Sequence, residues 1–125
     1  MKTSILVIYI LAITTIVYTA NVQKVQIFYS EMTNCANQLH LPNQPSPNVL
    51  ECVLRRNGLI NELGMLNKYG TLRHLGDFIS DPNKLRQAQN QFESCFNRGN
   101  VPGRNNHENT MRIIECAAPM VALIG

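Results

Sequence analysis

The 125-residue chain is short of charge: only 15% of its residues are Asp, Glu, Lys or Arg, against about 25% in an average globular protein. The net charge is +3, and no run of like charge occurs anywhere. Nucleic-acid binding, which needs a clustered basic footprint, is therefore not expected. Catalytic signatures are also missing. Ser30, Ser46, Ser80 and Ser94 lie in no G-x-S-x-G elbow, and no P-loop, dinucleotide fingerprint or EF-hand loop is present. There is no C-x-x-C and no H-x-x-x-H, and His40, His74 and His107 are not spaced as metal ligands. No N-x-S/T sequon occurs. The expectation is a protein with no catalytic residues, no cofactor and no metal, and so not an enzyme.

Amides supply the polarity that charge does not, with 15 Asn and 7 Gln. Lys2 precedes an uncharged stretch from Ser4 to Ala20 whose apolar centre runs from Ile5 to Ile13. A positive start, an apolar centre and a small residue at Ala20 read as a secretory signal peptide over residues 1–20, although Tyr18 is a poor fit to the small-x-small cleavage rule. A membrane anchor needs about 20 apolar residues. This stretch is shorter, is softened by Thr14 and Thr15, and is followed by no basic cluster. The reading is a secreted, extracellular protein without stable membrane insertion, with one domain over residues 21–125.

All four cysteines fall in that domain, at positions 35, 52, 95 and 116. An even number in a small secreted chain reads as two disulfides with three connectivities open. The surrounding pattern is helical. Val22, Val25, Phe28, Met32, Cys35, Ala36 and Leu39 form one apolar stripe, ended by Leu41-Pro42 and the prolines at 45 and 47. A second helix runs from about Asn48 to a stop at Gly58, and Leu59–Gly64 reads as an irregular turn. Tyr69, Leu72, Leu75 and Ile79 mark a third helix. Asp81 as N-cap and Pro82 at the first helical position open a fourth, with Leu85, Ala88, Phe92, Cys95 and Phe96 on one face. A polar loop over 99–106 leads to a last helix carrying Met111, Ile114 and Ala118, interrupted by Pro119. The apolar tail Met120–Ile124 should pack on the domain. No strand pattern competes. The fold class is all-α, a bundle of five to six short helices stapled by two disulfides. Antiparallel packing of chain neighbours favours Cys35–Cys52 and Cys95–Cys116, each closing a loop worth about 3 kcal/mol; the crossed pairings stay open.

The cysteine order together with the helix order resembles the insect odorant-binding proteins, in their four-cysteine or C-minus form; similar secreted proteins include ant venom allergens. The resemblance covers nearly all of residues 21–125. It rests on a cysteine in the first helix, Cys52 followed by Asn57-Gly58-Leu59-Ile60-Asn61-Glu62, Asp81-Pro82 opening the helix that carries Cys95, and Cys116 in the last helix. Asn48 and His107 stand where six-cysteine members have their remaining pair. The 16 residues between Cys35 and Cys52 are fewer than usual, so a short helix there is reduced or lost. The resemblance implies the neighbour pairing of cysteines and a cavity for small hydrophobic molecules. Phe28, Met32, Leu54, Leu72, Leu75, Phe92, Phe96, Met111 and Ile114 are the candidate lining. Each alone reads as ordinary core; only the set, with the resemblance, points to a pocket.

The function expected is a secreted, non-catalytic carrier of a small hydrophobic molecule such as an odorant, pheromone or lipid-like compound. The alternative is a secreted helical venom or signalling protein that acts through a surface on a receptor. A homodimer and a receptor contact are left open as partners.

Overall fold

The computed structural model describes residues 22–125, and the expected signal peptide over 1–20 lies outside the described residues. Five α-helices follow one another: α1 (22–38), α2 (Pro47–Arg56), α3 (Lys68–Phe78), α4 (Pro82–Gly99) and α5 (Asn106–Ala117). A 3₁₀ helix, Ala118–Leu123, completes the chain. No strand occurs among the described residues, which carry a single isolated bridge between Ile60 and Leu66.

The helix ends show why the chain turns where it does. At the end of α1, His40 adopts a left-handed conformation (φ 55°), Leu41 N–H donates to the Ala36 carbonyl at 2.9 Å, and His40 N–H donates to that of Asn37. The same closure recurs after α2. Gly58 (φ 72°) lets Leu59 N–H reach the Leu54 carbonyl and Gly58 N–H that of Arg55. This is the Schellman arrangement, in which a left-handed residue satisfies the last carbonyls and throws the next, apolar residue back onto the core. Residues 39–46 between these helices hold no helix, as the short cysteine interval leads one to expect. Asp81 caps α4, its carboxylate accepting from the N–H groups of Asn83 (2.8 Å) and Lys84 (3.3 Å). Asn67 and Asn105 cap α3 and α5 in the same way.

Packing follows from these turns. α4 lies most extensively on α5, α3 lies on α4, and α2 crosses α5. Gly99 permits the α4–α5 approach, because a Cβ there would stand 2.6 Å from Ile113 Cγ1 and 3.2 Å from the Ile113 nitrogen. Cys35–Cys52 ties α1 to α2 and Cys95–Cys116 ties α4 to α5, with Cα atoms 5.9 and 5.6 Å apart. Both are the neighbour pairings. Arg104 closes the 100–105 loop: it donates to the Gly99 carbonyl at 2.6 Å and to Asn109, whose own amide donates to the Val101 carbonyl.

Residues 59–66 form a compact irregular loop rather than a helix. The Asn61 side chain accepts from the N–H groups of Leu63 and Met65. Buried Thr110 of α5 donates its hydroxyl to the Gly64 carbonyl at 2.6 Å and pins the loop from below. His107 has its backbone against Gly64. Leu59, Ile60 and Leu66 are thereby buried. No described helix is long and apolar enough to cross a membrane.

Candidate functional site

A partly open hollow of ≈ 100 Å³ lies between the helices, with eighteen lining residues, of which only Asn57, Thr71 and His74 are polar. Every element contributes. Phe28 comes from α1; Leu50, Val53 and Leu54 from α2, with Asn57 just after it; Leu59 and Leu66 from the irregular loop. α3 provides Thr71, His74, Leu75 and Phe78, α4 provides Phe92, and α5 provides Ile113, Ile114 and Ala117. Met120, Val121 and Ile124 of the tail close one side. That is well above the space a single buried water needs. Cavities walled by aliphatic and aromatic groups stay dry and take apolar guests.

Five of the nine side chains expected to line a pocket border this hollow: Phe28, Leu54, Leu75, Phe92 and Ile114. Met32, Leu72, Phe96 and Met111 do not. Met32 is buried in the general core, and the other three are partly buried and pack against its outside. Phe96 lies one turn beyond Phe92 and carries the Lys68 ammonium 5.7 Å from its ring centre. The reason for Leu72 and Met111 is a rotation of the inward face. α3 turns Thr71, His74, Leu75 and Phe78 inward, and α5 turns Thr110, Ile113, Ile114 and Ala117. In each helix the buried stripe contains polar residues, so apolar spacing alone places it one residue off.

The tail is fastened as a wall. Pro119 ends regular α-helix, the 3₁₀ turn buries Met120, and the last residue is held twice. Gly125 N–H donates to the Phe78 carbonyl at 3.1 Å, and the Ser80 hydroxyl donates to the Gly125 carbonyl at 3.0 Å. No sequence signal located these contacts.

Beside the hollow lies a second, more polar recess of ≈ 140 Å³ lined by Lys24, Ile27, Phe28, Glu31, Asn57, His74, Asp77 and Phe78. Phe28, Asn57, His74 and Phe78 border both spaces and form the neck between them. Lys24 pairs with Asp77 at 3.0 Å, and Glu31 accepts from the Asn57 amide at 2.7 Å. Among the described residues no group of three His, Cys, Asp or Glu side chains is placed to hold a metal ion.

The model of the ant venom allergen Sol i 2 family matches residues 34–121. No curated protein and no solved structure matches the chain. The matched span starts just before Cys35, takes in both disulfides, and contains all of the hollow's lining except Phe28 and Ile124. Covering well over half of the sequence, the match places this chain in the ant venom allergen Sol i 2 family.

Proposed function

We propose that the protein is a secreted, non-catalytic carrier that shelters a small apolar molecule in the hollow between its helices. The observation that supports this reading is the ≈ 100 Å³ partly open space lined by α1 to α5 and the tail, with fifteen of its eighteen lining residues apolar. A well-packed interior keeps few voids larger than a water molecule. A hollow of this size walled by aliphatic and aromatic groups suits an occupant that water rejects. The likeness of the cysteine and helix order to odorant-binding proteins supports the same reading, and two disulfides suit an extracellular setting.

Size sets a chain-length rule. Each buried CH₂ contributes about 0.8 kcal/mol, so affinity should rise about fourfold per carbon. The rise should stop once the chain outgrows the hollow. Displacement of an environment-sensitive fluorescent probe by linear alkanes and alcohols of increasing length tests it. Saturable displacement whose gain per carbon levels off with chain length supports a carrier, and no uptake of probe or guest contradicts it.

One observation favours the second reading, a surface that acts on a receptor. Leu63, Met65 and Tyr69 are 70%, 47% and 73% exposed within seven residues of chain. A protein acting only through that patch would give no probe uptake, so the same experiment separates the two.

A further inference from the structure

The neck between the two recesses has a one-sided hydrogen-bonding inventory. Asn57 directs its amide nitrogen to Glu31 Oε2 (2.7 Å) and to the Val53 carbonyl (2.8 Å). Both partners are acceptors, which fixes the orientation of the amide and uses both of its N–H groups. His74 Nδ1 is 3.0 Å from the Gly70 carbonyl; a carbonyl can only accept, so the proton sits on Nδ1 and Nε2 of the neutral ring is an acceptor. Thr71 spends its hydroxyl proton on the Asn67 carbonyl at 2.8 Å. The three polar side chains bordering the hollow have thus committed their donors inside the protein. What the two polar neck residues have left to offer is acceptor capacity, the Asn57 carbonyl oxygen and the His74 Nε2 lone pair, at the rim of an otherwise apolar hollow.

The recess outside the neck leans the same way. It holds two carboxylates, Glu31 and Asp77, against one ammonium, Lys24, which Asp77 already engages at 3.0 Å. An anionic group arriving there would meet Glu31 and would have to separate Lys24 from Asp77.

Resting on the carrier reading, we propose that the guest is an amphiphile whose head group donates hydrogen bonds, an aliphatic alcohol or amine. Its chain lies in the hollow and its head sits at the neck, against acceptors that no donor among the described residues satisfies. Guests with acceptor-only heads gain nothing there, and carboxylates are disfavoured.

Probe displacement from the full domain with n-octanol, n-octylamine, heptyl methyl ether, octanoate and n-octane tests this, because octanol and the ether are isomers of equal size. One hydrogen bond gained should let octanol displace the probe at about three- to tenfold lower concentration than the ether. Octylamine should act at least as well as octanol, and octanoate less well than the ether. His74→Phe, which keeps a ring in place while removing the Nε2 acceptor, should narrow the octanol-to-ether ratio. An ether equal to or better than octanol, or octanoate as the best guest, overturns the head-group proposal and leaves the carrier reading standing. Failure of all five to displace the probe, n-octane included, overturns both.

Discussion

The Phe28 and Phe78 rings meet 5.1 Å apart at 45°, bringing α1 and α3 together at the neck between the apolar hollow and the polar recess. His74 stands edge-on to Phe78 at 6.0 Å, and the Phe78 carbonyl receives the Gly125 N–H. One aromatic pair therefore joins the first helix, the third helix and the tail where the two spaces lie side by side.

Opening that pair should speed guest exchange. An aromatic contact of this kind is worth about 0.5–1.5 kcal/mol, so Phe78→Ala should raise the release rate about two- to tenfold if the rings must part for the guest to leave. Stopped-flow dilution of a probe-loaded protein measures it. An unchanged release rate in a folded variant means that guests leave by another route.

Filling the hollow should abolish uptake without unfolding the domain. Ala117 is the smallest side chain on its wall and lies at the end of α5. Ala117→Phe adds a ring to the wall of that space. Probe affinity should fall at least about tenfold, while the thermal midpoint holds or rises, since a filled void recovers dispersion contacts. A midpoint lower by many degrees with affinity intact would argue that the site is packed solid.

Two helix caps should respond differently to the same truncation. Asp81→Ala removes an acceptor from two backbone N–H groups of α4 and should cost about 1 kcal/mol. Ser46 precedes α2 but makes no capping bond, and its buried hydroxyl oxygen has no partner among the described residues. Ser46→Ala should therefore be neutral or slightly stabilising, since an unpaired buried polar atom only costs free energy. Urea denaturation of both variants gives the comparison.

Gly99→Ala should be the most damaging conservative change on α4. The added methyl would overlap Ile113 Cγ1 and crowd the Ile113 backbone nitrogen. The α4–α5 contact must then open next to the Cys95–Cys116 bridge and displace a side chain that lines the hollow. Overpacking of this kind costs about 1–3 kcal/mol, and equilibrium unfolding measures it. Gly76→Ala, where a Cβ meets nothing within 4 Å, is the control and should be neutral to stabilising.

The helices were legible because the chain is strongly punctuated. Pro42, Gly58, Asp81-Pro82 and Pro119 each interrupt or open an element by a local rule that tertiary packing does not override. The cysteine pairing was legible as chain-neighbour packing. The site was legible only in part. Periodicity counts apolar side chains, and the inward stripes of α3 and α5 include Thr71, His74, Asn109 and Thr110. Leu72 and Met111 accordingly stood in for residues one position away. Leu59 and Leu66 reach the hollow from a segment with no periodicity, shaped by the Asn61 side chain and the Thr110 latch. Met120, Val121 and Ile124 reach it from beyond a proline. A stripe also says that a side chain faces the core, but not that it borders a void. That depends on how six elements meet, which is a property of distances and not of spacing.

The most direct test of the carrier account is methyl NMR of the domain during titration with n-octanol. The account requires saturable shifts, and guest-to-protein NOEs, at the buried methyls of Ile113, Ile114 and Leu75. Shifts confined to the exposed Leu63, Met65 and Val101 side chains, with those interior methyls unmoved, would contradict it.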